Sequence, residues 1–253
     1  MAMAELVFDD LTEIYESMID WPKRLANEEP FYRALFGPVG VGSLVDVACG
    51  TGRHAAMFHS WGLRVEGADI SANMIRRARK SFGEPAGLRW VVRGFDEPIR
   101  PSEPPGAAIC VGNSLALAPD MAAVERAVQH MHDAVKNAGV VVFHVLNLWK
   151  LPDGPCVWQK CKRASLPQGD VLIIKGVHRS GPRGYVDLIV TTPTASASMH
   201  TESVPFLGLE ARELEEMARR AGAADVRFFG GYQNQAYDRE GSTDLIMVAE
   251  KLA

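Results

Sequence analysis

The sequence predicts a doubly wound α/β fold with a mostly parallel sheet, carried by a single domain over residues 1–253. Short β-rich apolar runs alternate with helical stretches from Leu44 to Asn147, a rhythm that means a parallel sheet with helices on both faces. A glycine turn, Gly50-Thr51-Gly52, joins the first such run to the first helix after it. After Asn147 the alternation stops, and a β-rich segment is followed by one more helix and two more strands that can rejoin the main sheet.

The elements read in order as follows. Residues 1–36 form two amphipathic helical stretches. Leu11, Ile14, Tyr15, Met18 and Ile19 share a helical spacing, with Asp10 and Glu13 as a capping-box variant. Asp20-Trp21-Pro22 opens the second stretch, which Pro30 is expected to interrupt. SLVDVAC (43–49) is the first strand, Arg53 to Trp61 a helix, and LRVEGAD (63–69) the second strand. Ser71 caps a helix whose Met74, Ile75, Ala78 and Phe82 line one face. LRWVV (88–92), AAICV (107–111) and VVVFHV (140–145) continue the strands, with an amphipathic helix capped by Asp120 before the last of them. Within a β-rich insertion over 148–208, VLIIKGVHR (171–179) and GYVDLIVTT (184–192) pair antiparallel. A helix ending at Gly222, then DVRFF (225–229) and DLIMVAE (244–250), close the chain over 209–253.

Composition removes several function classes. The chain has 253 residues, 47% apolar and 23% charged, enough to bury a large core without staples. A formal net charge of −4 argues against nucleic acid as a partner. Cys49, Cys110, Cys156 and Cys161 form no C-x-x-C pair, so no zinc or thioredoxin-type site is expected and no metal is assigned. MAMAELVFDD has no basic-then-apolar pattern, and no apolar run approaches the ~18 residues of a membrane span. The expected setting is a reduced cytoplasm without membrane contact.

The glycine turn carries the chemistry. Gly50, Gly52 and Ala55 satisfy G-x-G-x-x-A, and glycines ahead of a helix N-terminus let backbone approach a ligand closely. Asp46 ends the first strand beside the turn, where a carboxylate repels a pyrophosphate and welcomes an ammonium. Asp69 ends the second strand seventeen residues beyond Gly52, close to the ~20 of an acid that grips a ribose diol. The ligand so described has a ribose, a cationic amino-acid end and no required phosphate. S-adenosylmethionine has these parts.

DVACGTG followed by ADIS resembles the cofactor-binding core of class I S-adenosylmethionine-dependent methyltransferases, over about residues 40–147. VDVACGTG, ICVGNSLALAPD and HVLNLWKL are similar to the glycine N-methyltransferase type. The usual motif has Gly where this chain has Ala48. The resemblance implies seven strands with an antiparallel last one, and S-adenosyl-L-methionine as cofactor with S-adenosyl-L-homocysteine as product. It implies that Asp46, Ala48, Cys49 and the Gly50–Gly52 backbone face the methionine end. Asp69 would hold the ribose, Ile70 and Met74 flank the adenine, and Gly94, Phe95 and Asp96 border its edge. Val111, Gly112 and Asn113 would close over the cofactor. Tyr15, Trp21 and Arg24 would form a lid, with Arg24 facing the cofactor carboxylate.

The acceptor is expected to be a small molecule, with an amine nitrogen favoured by resemblance alone, and a homo-oligomer is possible. Methyl transfer from a sulfonium is an in-line displacement that needs positioning more than a base. Tyr15, Asn113 and His144 are the candidates beside the reacting atoms. Trp149, Trp158 and Tyr232 are candidates to cage or stack on an acceptor. His130 and His132 read as a surface pair rather than a metal site, since i and i+2 of a helix diverge. Two other readings stand beside the methyltransferase: a nicotinamide-dependent oxidoreductase, which G-x-G-x-x-A permits, and a non-catalytic binding protein of the same fold.

Overall fold

The computed structural model describes residues 12–166, 169–192 and 199–252. The expected first cap at Asp10 and the apolar position Leu11 lie outside these residues. Two helices open the described chain, α1 (Thr12–Met18) and α2 (Trp21–Val39). Then follow β1 (Ser43–Asp46), α3 (Arg53–Ser60), β2 (Arg64–Asp69), α4 (Ala72–Phe82), β3 (Leu88–Val92), β4 (Ala107–Cys110), α5 (Met121–Ala134) and β5 (Val140–Leu146). Four strands come next, β6 (Val157–Leu166), β7 (Gly169–Ser180), β8 (Arg183–Thr191) and β9 (Met199–Leu207). The chain closes with α6 (Ala211–Arg220), β10 (Ala223–Phe229) and β11 (Asp244–Lys251).

The main sheet has the order β10-β11-β5-β4-β1-β2-β3. Strands β1 to β5 run parallel, and β11 is antiparallel to both β5 and β10. One apolar layer packs α5 and α6 on one face, through residues such as Val124, Met131, Leu214 and Ala218. The other face carries α2, α3 and α4 through Phe31, Tyr32, Phe58 and Ile75. The order reverses between β4 and β1, so their carboxyl ends open the crevice where doubly wound sheets take ligands.

The second sheet, β6-β7-β8-β9, is antiparallel throughout. Its Val171, Ile173, Leu188 and Val190 pack on Ile14 and Met18 of α1. Only β7 and β8 of this sheet are legible as individual strands in the sequence.

Local chemistry explains the boundaries. The Ser71 and Asp120 side chains accept from the Met74 and Ala123 amides at 3.2 and 2.8 Å, as N-caps do. Gly40 and Gly222 take the left-handed conformation just beyond α2 and α6. Pro30 does not interrupt α2. It stands on the exposed side, where the Ala26 carbonyl left without a donor is open to water. His132 also departs from expectation, being 1% exposed, with neither ring nitrogen hydrogen-bonded among the described residues.

Candidate active site

Asp46 and Asp69 end neighbouring parallel strands, so the same edge of the sheet presents both. Between them the turn passes with Gly50 at φ +53° and Gly52 at φ +84°, conformations glycine adopts without strain. Asp69 shapes this turn: its two oxygens accept from the Gly50 and Ser71 amides at 2.8 and 2.9 Å. Trp90 lies beneath. A Cβ on Gly52 or on Gly67 would fall 2.5 Å from its ring, so both glycines are required by the indole that floors the turn. Above Gly50 the space is open as far as Tyr15, whose ring is 3.9 Å from where a Cβ would stand.

Asp46 is fully buried, and among the described residues no group meets hydrogen-bond geometry with either of its oxygens. Burial, aided by Asp69 and opposed by the nearby Ala48 amide and Arg24, pushes its pKa up to about 8. An orphaned buried carboxyl at the strand end that leads into a glycine turn fits a ligand ammonium. The donor set therefore suits the cofactor described from the sequence: an ammonium at Asp46, close backbone at Gly50, and a diol at Asp69.

The family profile described as a methyltransferase domain matches residues 44–139. The glycine/sarcosine N-methyltransferase of Parasynechococcus marenigrum (strain WH8102) is 24% identical over 255 residues, covering 96% of this chain and 83% of that one. A glycine N-methyltransferase of Homo sapiens is 28% identical over 61% of this chain and 60% of its own. Among solved structures, the S-adenosylmethionine-bound amino pentose methyltransferase of Micromonospora echinaspora superposes with a TM-score of 0.73 at 18% identity, covering 94% of this chain and 96% of that one. Residues 44–139 are a methyltransferase domain of the S-adenosylmethionine-dependent type. S-adenosylmethionine is its cofactor.

Around the turn, the methyltransferase builds a network that links α1 and α2 to the sheet. Glu16 accepts from Thr51 in the turn and pairs with Arg53 at 2.6 Å, while Glu13 pairs with Arg77 at 2.7 Å. Arg24 donates to Glu28 at 2.7 Å, and Glu28 faces His54 at the same distance. Burial opposes the Glu28 charge, yet the His54 and Arg24 donors hold its carboxyl below the usual range. Burial lowers the His54 pKa, against the pull of Glu28. Arg24 also lies over the Trp21 ring and stands 3.5 Å from where a Gly112 Cβ would be. Tyr15 meets Trp21 edge-on at 6.1 Å, and burial raises its phenol pKa.

At the ends of β4 and β5, Asn113 adopts φ +74°. Its side-chain oxygen accepts from the Leu146 amide at 2.9 Å, and its own amide donates to the His144 carbonyl at 3.1 Å. His144 uses both ring nitrogens: Nδ1 accepts from the Gly112 amide at 3.3 Å, so Nε2 carries the proton toward Asp244 at 3.1 Å. The ring is thereby committed as a strut between β4, β5 and β11.

The remaining sequence candidates fall in three groups. Met74 and Cys49 are buried beside the turn, Val111 is buried at the end of β4, and Ile70 is exposed at the rim. Gly94 donates to Glu97 at 2.8 Å, Phe95 packs against the core, and Asp96 pairs with Arg126 at 3.1 Å. The proposed aromatic cage does not assemble. Trp149 donates to the Leu209 carbonyl and lies against Arg239, Trp158 is exposed, and Tyr232 is buried beneath His144 with its hydroxyl 3.3 Å from that of Tyr32.

Sequence reasoning missed Glu16, Glu28, His54 and Trp90. Only Trp90 carried a signal, as a large aromatic inside a strand next to one bearing Gly67. It also did not foresee a trio on the second sheet. Cys156, His178 and Asp187 bring metal-type atoms within 4.8 Å of one another, but they already satisfy each other, with His178 2.6 Å and Ser203 2.8 Å from Asp187.

Proposed function

We propose that the enzyme methylates an amine nitrogen of a small-molecule acceptor. One observation carries this reading: among the described residues at the crevice, no imidazole, phenol or thiol is free to act as a general base. His144 has both nitrogens committed, Tyr15 holds its proton, and burial drives the Cys49 thiol well above its ordinary pKa. An alcohol acceptor needs a base, whereas a neutral amine brings its own lone pair. The relatives named for glycine, sarcosine and amino-sugar methylation support the same direction.

Bound S-adenosylmethionine supplies an electrophilic methyl group on a sulfonium. The chain supplies position. Asp46 receives the ammonium, the Gly50–Gly52 backbone lies along the methionine end with Ala48 and Cys49, and Asp69 takes the ribose while keeping the turn in shape. Ile70, Met74 and the Gly94–Asp96 segment border the adenine, and Val111, Gly112 and Asn113 bound the crevice on the β4 side. Residues 1–36 act as a lid through Tyr15, Trp21 and Arg24. Residues 148–208 roof the acceptor side. Holding the reactants in line accounts for as much as ~7–11 kcal/mol of a barrier of this kind.

The experiment is an acceptor screen with methyl-labelled cofactor over small amines, amino acids, amino sugars and matched alcohols. N-methyl products are expected. Label found on oxygen would overturn the amine reading. A melting shift with NAD and none with S-adenosylmethionine would overturn the cofactor assignment.

A further inference from the structure

The inner face of the second sheet carries a lysine with no counter-ion among the described residues. Along β7, Val171, Ile173, Lys175 and Val177 point the same way, and the two valines and the isoleucine are 7, 1 and 1% exposed in chain order. Lys175 stands in register with Lys160 on β6 and with buried Leu188 on β8. The neighbouring cations are all engaged. Lys160 and Lys162 donate to the Met18 and Ser17 carbonyls at 2.8 and 2.7 Å, closing the C-terminal end of α1, and Arg24 is held by Glu28. Lys175 alone of the four has neither a hydrogen-bond acceptor nor a carboxylate within ion-pair distance among the described residues.

The charges that act on Lys175 are Lys160 and Arg24, both positive, and with burial they push its pKa down. Lys160 in turn feels Lys162, Arg24 and, in the opposite sense, Asp20. A partly buried ammonium among cations is costly unless a negative group joins it. Arg24 reaches the turn after β4 at Gly112, so the cationic cluster borders the crevice. It does so from the roof, not from the main sheet that holds Asp46 and Asp69.

We infer that the acceptor carries an anionic group, a carboxylate or a phosphoryl, and that Lys175 receives it. The inference deepens the methyltransferase reading and rests on it. Lys175 is then a specificity-determining residue: it holds the acceptor's charged end while the amine stays free to attack.

Calorimetric titration tests this with three proteins: wild type, Lys175→Met and Lys175→Arg. S-adenosylhomocysteine should bind all three within threefold. A tenfold loss in Lys175→Met, absent with 5′-methylthioadenosine, which lacks the amino-acid end, would give Lys175 to the cofactor and overturn the inference. Failure of wild type to bind S-adenosylhomocysteine would sink the cofactor assignment and the inference with it. The S-adenosylhomocysteine complex is next titrated with acetate and, separately, inorganic phosphate. At least one should bind wild type and Lys175→Arg similarly and Lys175→Met at least tenfold more weakly, and the anion that does so distinguishes a carboxylate from a phosphoryl acceptor. No binding of either anion at tens of millimolar, or equal binding to Lys175→Met, would overturn it. Lys175→Met should also melt at or above wild type in the absence of anions. A fall of more than about 5 °C would show a structural ammonium instead.

Discussion

Replacing Asp46 with asparagine isolates the most unusual electrostatic feature of the site. The carboxyl moves from an ordinary 3.8 to about 8. That rise of some four units is worth about 6 kcal/mol, at roughly 1.36 kcal/mol per unit. Below about pH 4 both folded and unfolded chains hold the proton; between about pH 4 and 8 only the folded chain does, so stability falls as pH rises, and above pH 8 the full penalty is felt. Urea unfolding of the ligand-free protein should therefore show wild type losing stability relative to Asp46→Asn by about 1.4 kcal/mol per pH unit from pH 5 to 8. Cofactor binding reverses the sign, because an ammonium beside Asp46 favours the carboxylate. At pH 7 a group titrating near 8 is mostly protonated, so S-adenosylhomocysteine should expel about 0.9 proton. Calorimetry in buffers of different ionisation enthalpy counts that proton. Affinity should climb about fivefold between pH 7 and 8 in wild type and stay level in Asp46→Asn. If wild type releases no proton and its affinity is flat with pH, Asp46 does not meet the ammonium.

Asp69→Ala removes the acceptor of the Gly50 amide as well as the proposed ribose contact, and calorimetry should show S-adenosylhomocysteine affinity lower by ~2–3 kcal/mol. Gly50→Val meets open space but forces a branched side chain to φ +53°, so it should lower the melting temperature while keeping a native circular dichroism spectrum, and it should abolish cofactor binding. Gly52→Ala should lower the melting temperature further, because its Cβ would also collide with Trp90. Tyr15→Phe should melt within a few degrees of wild type and lower kcat/KM or cofactor affinity tenfold, whereas Arg24→Ala, which leaves Glu28 buried with His54 alone, should cost about 1–3 kcal/mol in urea unfolding.

The parts of this enzyme legible in its sequence are those written in consecutive residues. Ser71 and Asp120 announce their helices because a cap is a contact three residues long. Asp46 and Asp69 are legible because a strand end beside a glycine turn is a local pattern, and parallel pairing then brings the two strand ends together. Glu28 and His54 were hidden because they lie 26 positions apart on different helices and each looks like an ordinary polar side chain. β6 was hidden because Lys160 and Lys162 occupy its inner face, where their ammoniums serve α1, and charges there break the expected alternation. β9 contains Pro205, which an edge strand tolerates but which reads as a break. His132 read as surface because nothing local reveals that Gly222 and Lys251, ninety or more residues later, lie beside it.

The position of β11 bears on how the molecule is made. Of the described strands it is the last in sequence, yet it lies inside the main sheet and is the sole link between β5 and β10. A nascent chain emerging from the ribosome can assemble β1 to β5 as they appear, but β5 keeps a bare edge until β11 arrives from a hundred residues downstream. Such long-range closure is slow, and an open edge of Val140, Val141 and Val142 invites pairing with another chain while it waits. Production should therefore favour slow translation or chaperone supply, and truncation within β11 should yield aggregate rather than a smaller folded enzyme.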